Sequence, residues 1–341
     1  MSDPVGHENE RLLCHGSDPI VFCLIQKQGA SMRIKKIAIK NYRGLSEWQY
    51  EISAPDDCFV LFGPNGCGKT SVLEAILICL GRYELLDRPL PDNPDYSVEM
   101  EILCDDGHLF KKRVTPSESE TQCLDHGKDG KCGGTKQIVA FDGVLYLPSW
   151  RFPMFVGDVG VDSGDSSDDS SDYDRDFLYG NSFTNLAAVK QRLVNFKAAS
   201  AFDEKVKQKA DDIFARINAA WKLFQPSAHS KFDAALAEQT KSRNPTFDVY
   251  LHGQQGQKRL SVDNLSSGEV DVFTLLANIL LGDPEYKLIL IDEPELHLHQ
   301  QWRRMFIPAI RQVAPTAQII AASHSEELWN SVYDSQKCLM K

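Results

Sequence analysis

The sequence has no run of about eighteen apolar residues, the shortest length that spans a bilayer as a helix. Its first 31 residues also lack the basic and apolar regions of a secretion signal. Nine cysteines stand at irregular spacings, which argues against a disulfide framework. We therefore expect free thiols, no membrane partner and a location in the reducing cytoplasm.

Positive charge is also in deficit, because 37 Lys and Arg residues face 48 Asp and Glu residues and leave a net charge of −11. This balance argues against wholesale coating of nucleic acid. Residues 157–176 hold eight Asp and five Ser against one Arg, so we predict a disordered acidic insertion there. A role for it in blocking a basic groove stays open. Residues 1–31 are predicted to be a disordered N-terminal arm, or an artefact of an early start codon.

A regular metal-binding motif is missing as well. Cys104, Cys123, His126 and Cys132 could converge on one ion, but the spacing Cys-x₂-His-x₅-Cys is irregular. Structural zinc sites usually show two compact ligand pairs. Free thiols are the favoured interpretation, and metal binding by these four residues stays open.

The sequence does contain a phosphate-binding motif at residues 63–70, Gly-Pro-Asn-Gly-Cys-Gly-Lys-Thr, directly after an apolar strand pattern. Glycines let successive backbone N–H groups of such a loop point at phosphate oxygens, and the helix that follows adds its dipole. Lys69 would reach the terminal phosphates, and the Thr70 hydroxyl would ligate Mg²⁺. The candidate nucleotide-binding residues here are Gly63, Asn65, Gly66, Cys67, Gly68, Lys69, Thr70 and Ser71.

Two further strand ends carry candidate catalytic groups. Residues 287–291, Lys-Leu-Ile-Leu-Ile, predict a mainly apolar strand that leads into Asp292, suited to support Mg²⁺, and Glu293, suited to act as general base toward water. Residues 319–322 predict another buried strand, followed by His324, which could contact the γ-phosphate or the water. ATP and Mg²⁺ are therefore the expected cofactors, and Glu293, His324 and Lys69 the expected catalytic residues.

A third motif, Leu-Ser-Ser-Gly-Glu at residues 265–269, precedes a long apolar segment. Ser266, Ser267 and Gly268 at a helix N-terminus would form an anion site. Ser266 or Ser267 could equally be an ordinary N-cap with Glu269 near the capping-box position. Both interpretations are compatible, because a capped helix start is what presents free N–H groups.

The order of these motifs resembles the ABC-type ATPase superfamily, and within it the RecF/SMC-like and OLD-type (overcoming lysogenization defect, AAA_21-like) group. Residues 32–45 are similar to the opening strand of that group, and residues 292–299 to its extended Walker B and D-loop. Ser323, His324 and Ser325 resemble its Thr-His-Ser switch, whereas Gln300 stands where the group often has Pro. The resemblance covers residues 32–80 and 245–333.

This resemblance implies an α/β ABC-type ATPase head, a P-loop mixed-sheet sandwich with an inserted helical subdomain, over residues 32–341. It implies that Asn41 and Arg43 meet the nucleotide. It also implies that Ser266, Ser267 and Gly268 complete the ATP site of a second protomer, so that ATP joins a homodimer.

The predicted helical lobe occupies residues 181–240, where a stripe of apolar residues recurs near helical spacing. Its expected buried residues are Phe202, Val206, Ile213, Ile217 and Phe224. Basic residues accompany the stripe and form either a solvated helix face or a contact surface for nucleic-acid phosphates. They are Lys190, Arg192, Lys197, Lys205, Lys207, Lys209, Arg216 and Lys222.

The leading functional hypothesis is an ATP-hydrolysing switch subunit of a DNA-related or anti-phage defence system. The chain ends soon after His324, so we expect a separate effector protein, such as a nuclease. The alternatives are a DNA repair or recombination ATPase, an ATP-binding scaffold with little turnover, and a transporter ATPase subunit. Contact with DNA is compatible with the defence switch, the repair or recombination ATPase and the scaffold.

Overall fold

The computed structural model describes residues 32–52, 58–86, 88–90, 95–104, 109–123, 143–149, 159–160, 186–226, 230–237, 246–253, 259–282 and 286–341. The predicted arm at residues 1–31 and most of the acidic insertion at 157–176 lie outside these ranges. His126, Cys132 and the side chains of Cys104 and Cys123 also lie outside the described residues. Within the described ranges, every helix is too short or too polar to cross a membrane.

The strands, in chain order, are β1 (Met32–Tyr42), β2 (Leu45–Glu51), β3 (Cys58–Phe62), β4 (Ser97–Cys104), β5 (Leu109–Val114), β6 (Ser119–Cys123), β7 (Val144–Leu147), β8 (Val159–Gly160), β9 (Lys231–Leu236), β10 (Thr246–His252), β11 (Leu260–Ser261), β12 (Leu288–Asp292), β13 (Gln318–Ser323) and β14 (Lys337–Leu339). The helices are α1 (Lys69–Leu80), α2 (Leu186–Ala199), α3 (Glu204–Phe224), α4 (Ser267–Leu281), α5 (Gln300–Val313) and α6 (Glu326–Trp329).

A parallel sheet with the strand order β14-β3-β13-β12-β7 forms the centre of the molecule. Every residue of β12 and β13 is buried, as expected for parallel strands covered on both faces. Because neighbouring strands run the same way, the ends of β3, β12 and β13 meet at one edge of this sheet. That edge carries the residues predicted to bind and hydrolyse ATP.

A second, antiparallel sheet with the order β2-β1-β4-β5-β6 packs on the other side of α1. The helix is therefore enclosed between two sheets, and nearly all of its residues are buried. Its apolar residues surround the helix axis instead of forming one stripe, which is the pattern of a fully buried helix. This arrangement confirms the predicted α/β sandwich of mixed parallel and antiparallel sheets.

The lobe contains α2 and α3, but it is not helical to residue 240. Phe232 and Ala234 alternate inward, and residues 231–236 pair with β10 as strand β9. The predicted apolar stripe also starts too early, because Phe202 is 93% exposed in the turn before α3. Asp203 caps α3 by accepting hydrogen bonds from the backbone N–H groups of Lys205 and Val206, so the helix begins after Phe202.

Three of the predicted basic surface residues instead hold the lobe to the ATPase core. Lys190 is 0% exposed, and its Nζ lies 2.6 Å from Asp248 and 2.8 Å from Asp263. Arg192 donates to the carbonyl of Leu281 at the end of α4. Arg216 donates in the same way to the carbonyl of Val313 at the end of α5. Neither predicted surface role therefore applies to Lys190, whereas Arg192 and Arg216 are partly exposed.

The two arginines satisfy carbonyls that a helix cannot pair internally, and their charge complements the negative end of the helix dipole. The exposed members of the basic set lie on α3 and are Lys205, Lys207, Lys209 and Lys222. An aromatic cluster also packs between lobe and core. The ring centroid of Trp221 in α3 lies 5.6 Å from that of Trp302 in α5 and 5.0 Å from that of Phe232 in β9.

Lys190→Met should lower the free energy of unfolding by about 3–5 kcal/mol, because it leaves two carboxylates without their buried cation. Urea unfolding followed by circular dichroism measures this loss. Lys222→Met, on the exposed face of α3, is the matched control and should change stability by no more than about 0.5 kcal/mol. Equal midpoints and slopes for the two variants would contradict a stabilising role for the Lys190 ion triad.

Candidate nucleotide-binding site

The loop at residues 63–70 joins β3 to α1 and needs glycine at three positions. Gly66 and Gly68 have φ values of +83° and +97°, in the region that only glycine adopts without strain. A Cβ atom on Gly68 would lie 2.5 Å from Leu45 Cδ2, and one on Gly63 would lie 2.6 Å from the Met340 carbonyl oxygen. The close approach of Leu45 shows that the β1–β2 turn packs against the start of α1.

The polar side chains at the start of α1 lie where the sequence predicted them. Lys69 Nζ donates to the carbonyl oxygens of Gly63 and Pro64, at 2.9 and 3.1 Å. Thr70 Oγ1 donates to Asp292 Oδ2 at 2.9 Å, although the two residues are far apart in sequence. A hydroxyl beside a buried carboxylate is an all-oxygen donor set, which fits Mg²⁺ better than a softer metal.

Glu293 follows Asp292 directly and has a φ of +50°, unusual for a residue with a side chain. Its Oε2 lies 2.5 Å from His324 Nδ1, so the predicted base and the predicted switch histidine are in contact. Burial and the neighbouring Glu295 raise the pKa of Glu293 above its ordinary value, while His324 and Lys69 oppose this shift. A raised pKa suits a carboxylate that takes a proton from water.

Glu295 belongs to the same cluster, and the sequence analysis did not select it. It is 2% exposed, and its Oε1 accepts hydrogen bonds from Ser323 Oγ and from the His324 backbone N–H, both at 2.7 Å. The available signal was a second carboxylate two residues after Glu293. Sequence alone does not show which way that carboxylate points.

The β1–β2 turn brings Arg43 to α1, with its Nε 2.5 Å from Glu74 Oε2. Arg88 approaches the other oxygen of Glu74 at 2.8 Å, and Glu74 itself is buried. Asn41 and Arg43 both have positive φ, at +53° and +48°. The structure thus locates this turn beside the phosphate-binding loop, and contact of Asn41 and Arg43 with the nucleotide stays a prediction.

The Ser266–Gly268 motif forms the start of α4. Glu269 Oε2 accepts from the Ser266 backbone N–H at 2.9 Å and from Ser266 Oγ at 2.8 Å. Gln225, at the end of α3, donates to Glu269 Oε1 at 3.0 Å. The expected capping role of Glu269 is therefore present, together with a contact to the lobe.

Gly268 lies against the segment that follows Glu293. A Cβ atom on Gly268 would lie 2.6 Å from the His297 carbonyl oxygen, and His297 Nδ1 lies 2.8 Å from Asp271 of α4. Among the contacts of the described residues, none joins Ser266, Ser267 or Gly268 to the loop at residues 63–71. The structure therefore gathers Lys69, Thr70, Asp292, Glu293 and His324 into one site and leaves the Ser266–Gly268 motif outside it.

Comparisons with known proteins agree with this geometry. A family model described as "AAA domain, putative AbiEii toxin, Type IV TA system" (AAA_21) matches residues 153–330, more than half of the chain. A second model, described as "AAA ATPase domain" (AAA_15), matches residues 32–126. The two matches include the phosphate-binding loop, the Asp292–Glu293 pair and the switch histidine.

Two curated relatives are similar over most of the chain. Septu protein PtuA of Bacillus thuringiensis is 23% identical over 86% of this chain and 72% of its own length. Retron Ec83 probable ATPase of Escherichia coli is 20% identical over 91% of this chain and 72% of its own length. A solved structure, the SmcHead bound to the C-winged helix domain of ScpA, matches with a TM-score of 0.51 at 13% identity. That match covers 88% of this chain and 91% of the other, and it shows the shared fold.

Gly268→Ala should lower ATP turnover by roughly tenfold or more, because the added Cβ must displace the His297 backbone and the segment that leads back to Glu293. ATP binding at the phosphate-binding loop should stay near the wild-type value. Gly44→Ala is the control, because a Cβ there meets nothing within 4 Å. Phosphate release and nucleotide affinity are the measurements, and equal turnover by both variants would contradict the inferred coupling.

Proposed function

The chain belongs to the AAA_21 family of ATPase domains, and from this premise we propose that it is an ATP-driven switch subunit that works with a separate effector. ATP hydrolysis is the activity of this class of domain. The observation that carries the proposal is the cluster at one edge of the parallel sheet. There Thr70 bonds to Asp292, and Glu293 contacts His324.

In the proposed reaction, backbone N–H groups of residues 63–70 and Lys69 hold the ATP phosphates. Thr70 and Asp292 would hold Mg²⁺, which supplies charge neutralisation at the phosphates when it is bound. Glu293 orients a water molecule toward the γ-phosphorus and takes its proton as the new P–O bond forms. The bond from the γ-phosphorus to the ADP oxygen breaks, and His324 senses the γ-phosphate. The products are ADP and inorganic phosphate.

The Ser266–Gly268 motif completes the ATP site of a second protomer in this proposal. Its position outside the chain's own cluster supports this arrangement, and so does the exposure of Ser266 and Ser267 at the N-terminus of α4. That N-terminus offers N–H groups and a helix dipole to an anion. ATP would then join two heads, and hydrolysis would release them.

The setting we propose is the cytoplasm, in a bacterial anti-phage defence or DNA-related system. The OLD-type resemblance of residues 292–299 and 323–325 implies such a role. The names of the relatives, a Septu protein and a retron ATPase, are compatible with it. The effector, such as a nuclease, would be a different protein whose activity depends on the nucleotide state of this subunit. The proposed trigger is DNA or a protein partner.

Glu293→Gln should lower the ATP turnover number by about 100-fold or more, because a neutral amide cannot take the proton from water. ATP binding should be retained, so the variant should accumulate as an ATP-bound dimer in analytical ultracentrifugation. Glu326→Gln, which changes an exposed carboxylate on α6, is the control and should keep wild-type turnover.

Wild-type turnover by Glu293→Gln would contradict the assignment of the base. Running the same assay with linear double-stranded DNA distinguishes the two proposed triggers. Stimulation of the wild type, absent in Glu293→Gln, indicates a DNA-responsive switch. Turnover indifferent to DNA indicates gating by a protein partner.

Ser267→Arg should prevent ATP-dependent dimerisation when it is combined with Glu293→Gln. The large cation would occupy the surface that meets the second protomer, while the chain's own phosphate-binding loop is unchanged. ATP affinity of the monomer should stay within about twofold, because Ser267 is not part of that loop. Gln208→Arg, on the exposed face of α3, is the matched control. A dimer formed equally by both variants would mean that the ATP site is not shared through Ser267.

A further inference from the structure

His324 lies within reach of two carboxylates. Its Nδ1 is 2.5 Å from Glu293 Oε2 and 3.2 Å from Glu295 Oε1. The three side chains form a compact group in which one ligand atom from each lies within 4.8 Å of the others. His324 Nδ1 therefore has a carboxylate oxygen of each glutamate nearby.

The two carboxylates differ in how firmly they are held. Glu295 is almost fully buried, and its Oε1 also accepts from Ser323 Oγ and from the His324 backbone N–H. Ser323 Oγ in turn accepts from the Ser325 backbone N–H at 3.0 Å. Glu295 thus fixes the backbone on both sides of the histidine, whereas Glu293 is only half-buried.

Glu293 contacts His324 with the same carboxylate that is proposed to take a proton from water. When Glu293 turns to the water, His324 needs another acceptor to keep its ring orientation. Glu295 Oε1 is the acceptor at hand, and its position is already set by two other donors. Carboxylates that orient functional histidines in this way are common in enzyme sites.

We propose that Glu295 is a positioning residue, which holds the His324 ring and backbone while Glu293 acts on water. This proposal rests on the roles proposed above for Glu293 and His324. It differs from a purely structural role for Glu295 in one respect. A structural anchor needs only an oxygen that accepts hydrogen bonds, whereas positioning the imidazole N–H also uses the negative charge of the carboxylate.

Glu295→Gln separates these two roles, because the amide oxygen can still accept from Ser323 and from the His324 N–H but carries no charge. We expect kcat for ATP hydrolysis to fall by about 10- to 100-fold, by analogy with the loss of carboxylates that orient metal-binding histidines. The KM for ATP should stay within about twofold. Glu327→Gln is the matched control, since Glu327 also accepts from a serine hydroxyl, Ser325 Oγ at 2.8 Å, and should leave kcat unchanged.

A double-mutant cycle with His324→Gln tests whether Glu295 acts through the histidine. If it does, Glu295→Gln should add little to the loss already caused by His324→Gln. Wild-type kcat in Glu295→Gln, or losses that multiply in the double variant, would overturn the proposal. Wild-type kcat in Glu293→Gln and His324→Gln would instead overturn the proposed roles of those two residues, so the two failures are distinguishable.

A second measurement does not depend on the folding of Glu295→Gln. In Glu293→Ala, Glu295 is the carboxylate left for the histidine, so isotope-labelled His324 should carry its proton on Nδ1 in NMR spectra. The resonance is assigned by its loss in a variant that also lacks His324. A proton on Nε2 alone would overturn the proposal.

Discussion

The parallel register of three strands is the constraint on which the site depends. Ser323 pairs with Phe62, and Asp292 pairs with Ala322, so β3, β12 and β13 end at the same level. The Glu293 N–H also donates to the Ala322 carbonyl at 2.9 Å, which continues the ladder one residue beyond the strand. Residues that are hundreds of positions apart in sequence are placed side by side by these backbone bonds alone. The short side chains Thr70 and Asp292 meet only because this register is kept.

The lobe is joined to the ATPase core by polar contacts next to α4. Lys190 binds Asp263, which lies just before the Ser266–Gly268 motif, and Gln225 binds Glu269, which directly follows it. Arg192 and Arg216 add two further contacts, because they donate to the last carbonyls of α4 and α5. Lys190, Arg192 and Arg216, which the sequence left open as a contact surface for nucleic acid, thus bind other parts of the same chain. The exposed lysines of the basic set, Lys205, Lys207, Lys209 and Lys222, all lie on α3.

The positions of the phosphate-binding loop and of the ends of β12 and β13 could be predicted from the sequence, because each is a local pattern of an apolar strand followed by specific side chains. Their catalytic roles stay predictions. Features that depend on distant packing could not be predicted. Lys190 looked like a surface cation, since its partners Asp248 and Asp263 are supplied by other elements. Residues 231–236 form a strand because they pair with β10. Glu295 is recognised as part of the site only from its hydrogen bonds to Ser323 and His324 at the end of β13. His126, Cys132 and the side chains of Cys104 and Cys123 lie outside what the structure describes, so metal binding by these four residues is untested.

Residues with positive φ lie between Glu293, the proposed base, and α4. Glu293 and His297 both have positive φ, at +50° and +61°, and they flank the short turn after β12. A residue keeps such a backbone conformation only where its surroundings fix it in place, and contacts fix both of these residues. His324 holds the Glu293 side chain, and Gly268 together with Asp271 holds His297. In the proposed dimer, a phosphate bound by the second protomer's ATP site would press on the start of α4. Because Gly268 lies against the His297 carbonyl, the same contact links the start of α4 to the turn that begins at Glu293.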